Sequence, residues 1–165
     1  MHASHLLIRF SFVAVTAALL VACGTPQGPG GSTPSRANPG QAAATFVRPA
    51  SGATIARFDG NRNKGIDIAG TAGDPVVATA DGRVVYVGNE LRGYGNMVIV
   101  KHNETFLSAY AHAQKVLVKE KDVVRQGQKI AEMGSSGTDR VKLHFEIRKQ
   151  GTAVNPEPYL SGQLR

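Results

Sequence analysis

The chain has few of the residues that hold small domains together through covalent bonds or large aromatic cores. Cys23 is the single cysteine among 165 residues, so no disulfide can form within the chain. Tryptophan is absent, and aromatic residues make up only 6% of the sequence. The one long apolar run, residues 10–22, is shorter than the roughly 20 residues that a membrane-spanning helix needs. Any folded domain must therefore gain its stability by burying aliphatic side chains.

The first residues have the order of a secretory signal, with Arg9 ahead of the apolar run and small residues at its end. The stretch from Leu20 to Cys23, "LVAC", resembles the lipobox of bacterial lipoproteins. The resemblance implies a signal peptide at residues 1–22, a lipid on Cys23 and membrane attachment through that lipid. Gly24, rather than aspartate, follows the cysteine, which by the sorting pattern of Gram-negative lipoproteins implies an outer-membrane lipoprotein facing the periplasm. A buried transmembrane cysteine or a chance match is the alternative.

Residues 23–44 are rich in glycine, proline, serine and alanine and contain almost no large apolar side chain. Such a segment cannot bury enough surface to offset the entropy lost on ordering, so we predict a flexible tether followed by one domain at residues 45–165. The net charge of +7 suits anionic partners such as peptidoglycan or lipid head groups. Export argues against nucleic acid as a partner, and a monomer is the default expectation.

The domain region contains short runs of β-branched and aromatic residues rather than an amphipathic helical pattern. Asp81-Gly82 lies between two such runs and predicts a β-hairpin turn. Residues 118–132 are polar enough to resemble a helix, but Gly127 and several β-branched residues favour strands. We therefore predict a nearly all-β fold with strands in residues 54–58, 65–69, 75–88, 96–112 (turning at residues 102–104) and 142–156 (returning near Gly151).

Residues 73–88 and 121–134 follow one pattern: an acid, a β-branched pair, a turn, an apolar strand and a glycine. The pattern resembles barrel-sandwich folds of the biotinyl/lipoyl type. A carrier domain of that type needs a lysine at a hairpin tip with small or methionine neighbours. The sequence contains no such motif, so we do not expect a carrier function.

Several short motifs occur in a characteristic order: "GIDIAG" (65–70), "ADGRVVYVG" (80–88), "GYGN" (93–96), "YAH" (110–112) and "LHFEIR" (143–148). Their order and spacing resemble the LytM domain of the lysostaphin-type zinc peptidases across about residues 50–160. The resemblance implies a compact LytM-type barrel-sandwich domain, a biotinyl/lipoyl-like hybrid. Active members of that family bind zinc through a His-x-x-x-Asp pair and the second histidine of His-x-His, and they cut peptide cross-links in peptidoglycan. The first histidine of His-x-His, and another after Tyr-x, assist the water and the developing oxyanion.

Only part of that residue set is present in this sequence. Asp67 and His144 match two zinc ligands, and His112 in "YAH" matches an assisting histidine. Asn63 stands where the first zinc histidine is expected, and Lys142 stands in place of the first histidine of His-x-His. The Ser-Thr-Gly-Pro run that precedes His-x-His in the family is also missing. The resemblance thus implies a relict zinc site without a complete ligand set.

The substitutions oppose metal binding on chemical grounds. Catalytic zinc usually has three protein ligands, and an amide oxygen is a poor donor beside imidazole. Lys142 would place an ammonium next to the cation and repel it. We therefore expect no zinc or other cofactor, no catalytic residue, and an ion pair between Lys142 and Asp67. His102 or Glu146 could replace a ligand only in a rearranged site, and the retained residues also have ordinary structural roles open to them.

A degenerate LytM domain on an outer-membrane lipoprotein resembles the NlpD group of divisome-associated factors. That resemblance implies that the domain binds a periplasmic N-acetylmuramoyl-L-alanine amidase, relieves its autoinhibition and so promotes the splitting of septal peptidoglycan. Members of the group usually carry a LysM module ahead of the LytM domain, where this sequence has the predicted tether. An active zinc endopeptidase with atypical ligands and a passive peptidoglycan-binding lipoprotein stay open as alternatives. The partner-binding groove would contain Asn63, Lys64, Asp67, Arg92, Tyr94, His112, Lys142 and His144.

Overall fold

Strands make up almost all of the regular structure in residues 45–164, the part of the chain that the computed structural model describes. The only helix in that range is a single turn, α1 (Glu157–Leu160). No helix in residues 45–164 is long and apolar enough to cross a membrane. The strands are β1 (Thr54–Ala56), β2 (Ile66–Ala69), β3 (Pro75–Val77), β4 (Gly82–Gly88), β5 (Met97–Lys101), β6 (Phe106–Ala111), β7 (Ala113–Val116), β8 (Val123–Val124), β9 (Lys129–Met133), β10 (Lys142–Lys149) and β11 (Thr152–Val154).

The predicted all-β fold is therefore confirmed. The signal peptide at residues 1–22, the lipid on Cys23 and the tether at residues 23–44 are predictions that lie outside the described residues.

The strands form two antiparallel sheets. The large sheet has the order β1-β2-β10-β6-β5-β4-β8, with β11 paired to β10, and the small sheet has the order β3-β9-β7. One main cluster of buried apolar side chains takes members from both sheets, including Ile68 of β2, Val76 of β3 and Ile130 of β9. Burial of this aliphatic cluster supplies the stability that a disulfide-free chain requires.

β10 separates the core from a polar surface through the alternation of its side chains. Leu143, Phe145 and Ile147 are 1%, 0% and 0% exposed and belong to the main core. Lys142 and His144 point to the opposite face, because successive side chains of a strand alternate between the two faces. The same strand thus builds the core and presents polar groups to the other side of the large sheet.

The predicted hairpin at Asp81-Gly82 is wrong. β3 pairs with β9 in the small sheet, whereas β4 pairs with β5 and β8 in the large one, so the chain crosses between sheets at this point. Neither residue adopts the positive φ that a type I′ turn requires. Instead, Asp81 accepts a hydrogen bond from the backbone of Gln126 (2.7 Å), and Gly82 leaves room for the carbonyl of Lys101.

The other strand predictions are confirmed. β5 and β6 form an antiparallel pair around the turn at residues 102–104, and β10 returns as β11 around Gly151, which has φ +81°. β8 and β9 occupy the region that resembled a helix, and Gly127 between them has φ +77°.

The internal repeat seen in the sequence has a structural counterpart. β3 pairs with β9 and β4 pairs with β8, so each half of one copy pairs with the opposite half of the other. The acid that opens each copy forms the same turn. Asp74 accepts a hydrogen bond from the backbone of Thr71 (2.7 Å), and Asp122 accepts one from the backbone of Lys119 (3.0 Å). This reciprocal pairing agrees with the predicted barrel-sandwich hybrid.

Candidate functional site

An open depression of about 440 Å³ lies on the polar side of β10. All eight residues predicted for the groove line it, and four further residues join them. The lining consists of Asn63, Lys64, Asp67, Arg92, Tyr94, His112, Lys142 and His144, together with Ala56, Arg62, Gly93 and Glu146.

The pairing of β2 with β10 brings the central residues together. Asp67 on β2 lies directly opposite His144 on β10, and Lys142 lies opposite Ala69. Directly opposed side chains on one face have Cβ atoms about 5 Å apart, close enough for hydrogen bonds. Strand register therefore places a carboxylate between an ammonium and an imidazole.

Asp67 uses both of its carboxylate oxygens within the protein. Lys142 Nζ donates to Oδ2 at 2.8 Å, and His144 Nδ1 donates to Oδ1 at 2.7 Å. The ion pair expected between Lys142 and Asp67 is therefore present, with side chains only 19% and 12% exposed. Burial opposes ionisation of Asp67, but the hydrogen bonds from His144 and Lys142 outweigh it and lower its pKa to about 2.

His144 lies between two carboxylates. Its Nδ1 contacts Asp67, and its Nε2 contacts Glu146 Oε1 at 3.2 Å. Both carboxylates are ionised and can only accept hydrogen bonds, so both ring nitrogens must donate and the ring is an imidazolium. Burial lowers the pKa of His144, but the bonds to Asp67 and Glu146 outweigh it and raise the pKa above the ordinary value. An imidazolium has no lone pair to offer to a metal ion.

Glu146 is the most deeply buried member of the site, at 0% exposure. Arg148 Nε donates to its Oε2 at 2.7 Å, and the hydroxyl of Tyr94 donates to its Oε1 at 2.8 Å. Burial opposes ionisation of Glu146, but the hydrogen bonds from His144, Arg148 and Tyr94 outweigh it and lower its pKa to about 2. This carboxylate thus holds one wall of the depression in place.

Glu146 was considered from the sequence only as a substitute metal ligand, and no role in the site was predicted for Arg148. The available signal was the spacing of charged and polar residues along β10, where residues 142, 144, 146 and 148 share one face. Together with Asp67 they form an alternating series of positive and negative groups. We refer to Lys142, Asp67, His144, Glu146 and Arg148 as the charge chain.

Asn63, which the family resemblance places at the position of the first zinc histidine, stabilises its own loop. Its side-chain amide donates to the carbonyl of Arg57 (3.0 Å), and its Oδ1 accepts from the backbone of Gly65 (3.1 Å). Asp67 and His144 form the ion pairs of the charge chain, and Asn63 bonds within its own loop. These three residues therefore do not fit a zinc ion. In residues 45–164, no group of three or more His, Cys, Asp or Glu side chains is placed to hold a metal.

His112 lies beside the charge chain with its ring centroid 6.2 Å from that of His144. It is 4% exposed and has φ +66°, which is uncommon for a residue other than glycine. Its Nδ1 donates to the carbonyl of Ser136 at 2.8 Å. Burial lowers the pKa of His112, and the nearby cations Lys142 and His144 lower it further against the effect of the Ser136 hydrogen bond. His112 is therefore a neutral ring with Nε2 unprotonated.

His102 lies elsewhere and does not take part in the site. It is 5% exposed, and its ring nitrogens contact the carbonyl of Asp81 (2.8 Å) and the hydroxyl of Ser108 (2.7 Å). The role of substitute ligand considered for it from the sequence is therefore wrong, because the ring is fixed within the core.

The rim of the depression is basic. Arg62, Lys64 and Arg92 line it, and Arg92 has no hydrogen-bond or ion-pair partner among the described residues. Arg62 lies 4.0 Å from Asp59, and Lys64 donates to the carbonyl of Gly60 at 2.5 Å. The surface around the charge chain therefore favours an occupant with negative charge.

The two histidines of the site are expected to differ in protonation at neutral pH. Nitrogen-15 spectra at pH 7 should show both ring nitrogens of His144 protonated, whereas His112 in the same sample should show only Nδ1 protonated. Because the pKa of His144 is raised, its bonds add stability that is fully present below the ordinary histidine pKa and is lost as pH rises through the raised value. A neutral His144 at pH 7 would contradict the proposed hydrogen-bond directions.

The family model described as Peptidase family M23 matches residues 61–156. The lipoprotein NlpD/LppB homolog of Pseudomonas aeruginosa is 58% identical over 132 residues, covering 79% of this chain and 44% of that protein. The murein hydrolase activator NlpD of Escherichia coli is 57% identical over 118 residues, covering 70% of this chain and 31% of that protein. The outer membrane antigenic lipoprotein B of Haemophilus influenzae is 59% identical over 115 residues, covering 68% of this chain and 28% of that protein. The chain thus spans less than half the length of these relatives.

Solved structures of peptidases have the same fold. A zinc-containing peptidase from Vibrio cholerae superposes with a TM-score of 0.67 and 29% identity, covering 73% of this chain and 41% of that one. The catalytic domain of lysostaphin from Staphylococcus simulans gives a TM-score of 0.58 and 30% identity, covering 68% of this chain and 89% of that one.

Proposed function

Because the chain belongs to peptidase family M23, and because its charge chain stands where the family implies a metal, we propose that it acts without catalysis. Its function is to bind and activate a periplasmic N-acetylmuramoyl-L-alanine amidase that splits peptidoglycan during cell separation. The observation that carries this proposal is the ammonium of Lys142 at 2.8 Å from Asp67, together with the imidazolium of His144 at 2.7 Å. Two cations on one carboxylate leave no favourable place for a divalent ion.

The names of the relatives support the choice of partner and location. The similar protein of E. coli is named a murein hydrolase activator, and that of H. influenzae an outer membrane lipoprotein. We propose the same role and the same location for this chain. The lipid on Cys23 attaches it to the outer membrane, and the domain acts in the periplasm. The partner is an amidase, and the eight predicted groove residues form the contact surface.

The geometry suits a rigid binding surface. Each carboxylate of the charge chain contacts two cationic groups, and Tyr94 adds a further bond to Glu146, so the floor of the depression is fixed before any partner arrives. A preformed surface loses little conformational entropy on binding. It activates an amidase if it binds the open state of that enzyme more tightly than the closed state.

We expect the purified full chain to raise the turnover of a host periplasmic amidase on labelled sacculi by about 10-fold or more, and to release no peptide fragments alone. Charge reversal at the rim, Arg92→Glu, should remove most of that activation because it opposes the basic rim. The matched control Lys115→Glu alters an exposed lysine that does not line the depression and should activate like the wild type.

Two results would overturn the proposal. If every periplasmic amidase of the host keeps its basal turnover while the chain still sediments with sacculi, the chain is a passive wall-binding protein. If the chain alone cuts cross-linked muropeptides and carries stoichiometric zinc, it is an endopeptidase.

A further inference from the structure

His112 is held in an unfavourable backbone conformation by its surroundings. Its backbone N–H donates to the carbonyl of Tyr94 (2.9 Å), and its Nδ1 donates to the carbonyl of Ser136 (2.8 Å). A positive φ at a residue other than glycine persists where neighbouring structure imposes it, and such residues concentrate at functional sites. The surrounding structure therefore holds His112 in a conformation that is typical of functional residues.

Two glycine-containing turns fix the direction of that ring. The hydroxyl of Ser136 accepts from the backbone of Asn96 (3.0 Å) and donates to the carbonyl of Ala113 (2.8 Å). A side chain at Gly95 would collide with the backbone of Ser136, so the two turns can approach only because that residue is glycine. The carbonyl that orients His112 is thus itself held in place.

The oriented ring exposes a single acceptor to the depression. Since the buried ring is neutral and its Nδ1 donates to a carbonyl, Nε2 carries the lone pair. Among residues 45–164, Nε2 has no hydrogen-bond partner, and His112 lines the depression. Lys142 lines the same depression, and its Nζ, which has three protons, donates only to Asp67. The depression therefore offers one acceptor and a nearby donor.

We propose that His112 Nε2 and Lys142 Nζ bind the side-chain amide of one asparagine or glutamine of the activated amidase, with the amide N–H donating to Nε2 and the amide oxygen accepting from Nζ. The inference rests on the proposed function and specifies the chemistry of its partner. A side-chain amide carries a donor and an acceptor side by side, whereas a trans peptide group points them in opposite directions and a carboxylate has no proton for Nε2. The basic rim then selects acidic residues around that amide.

The substitution His112→Asn tests the acceptor while keeping the backbone. Asparagine tolerates positive φ better than most residues, and its Nδ2 can donate to Ser136 as the histidine Nδ1 does, but nothing replaces Nε2. We expect an unchanged melting temperature and an affinity for the amidase, measured by calorimetry, that is lower by about 5-fold to 10-fold. The control Lys115→Gln, outside the depression, should bind like the wild type.

A second measurement needs no substitution. On addition of amidase, the nitrogen-15 resonance of His112 Nε2 should move to the position of a hydrogen-bonded acceptor. If the amidase binds while that resonance stays unchanged and His112→Asn keeps full affinity, the inference fails but the proposed function stands. If the amidase does not bind the wild type, the proposed function fails. If purified muropeptides alone move the resonance, the amide that binds His112 comes from peptidoglycan, and the inference that the amidase supplies it is wrong.

Discussion

Replacement of Asn63 and Lys142 together by histidine is expected to produce a chain that binds one zinc ion with a dissociation constant of about 1 μM or tighter. That constant corresponds to a binding free energy of about −8 kcal/mol. The wild type should retain no stoichiometric zinc. The change removes the ammonium that lies 2.8 Å from Asp67 and supplies an imidazole at position 63. Asp67, His144 and the new residue 63 then complete the three-ligand set typical of catalytic zinc.

Zinc content after chelator-free purification and dialysis measures this gain, and cobalt absorption spectra report the ligand geometry. The new histidine at position 63 loses the hydrogen bonds that Asn63 makes to Arg57 and Gly65, so the metal-free variant should melt below the wild type. Zinc should restore stability by about 2.7 kcal/mol at 100 times the dissociation constant.

The paired control replaces Asn63 and Lys142 by glutamine, which removes the ammonium without adding imidazole, and it should bind no zinc. Addition of His144→Ala to the double histidine variant should abolish binding. Stoichiometric zinc in the wild type that disappears on His144→Ala would instead show that the charge chain opens to a metal, and the assignment of Asn63 and Lys142 as disabling residues would be wrong.

Loss of the buried carboxylate in Glu146→Ala should lower the free energy of unfolding by about 3–5 kcal/mol. Glu146 is 0% exposed and accepts hydrogen bonds from Arg148, Tyr94 and His144. Its removal leaves the partly buried Arg148 without its counter-charge and His144 with only one of its two carboxylates, which costs more than the lost bonds themselves. Urea unfolding followed by circular dichroism measures the change.

The control is Glu104→Ala, which removes a carboxylate that pairs with Lys101 but is 90% exposed. This change should cost far less, because solvent screens an exposed pair. The pKa of Glu146 is about 2, so its contribution is fully present above the ordinary carboxyl pKa and is lost as pH falls toward 2. The variant should therefore lose stability less steeply in acid than the wild type. Equal losses for the two alanine variants would show that the charge chain does not stabilise the fold.

Much of the fold followed from local pattern, and the errors have a physical cause. The alternation along β10 predicts a strand with one buried face, and the structure has that strand. Asp81-Gly82 has a strong intrinsic turn preference, yet β3 and β4 belong to different sheets, because each finds its partner in the second copy of the repeat. Dipeptide preference carries no information about such distant partners.

The site divides in the same way. The positions of Asp67, His112 and His144 followed from family resemblance, and their shared depression agrees with it. The burial of Glu146 could not be predicted from the sequence, because spacing along a strand places residues on one face without saying which neighbours cover them. The positive φ of His112 has no signal in its own residue type, since it arises from the packing of two distant turns.

The position of β10 has a consequence for how the domain is made. It is the last long strand in the sequence, yet it lies inside the large sheet between β2 and β6. During synthesis, a nascent chain that stops before Lys142 leaves both of those neighbours with open edges, which are prone to pair with other chains. The domain therefore completes its folding only after nearly all of it has been translated, and premature termination should yield aggregating fragments rather than a smaller stable product.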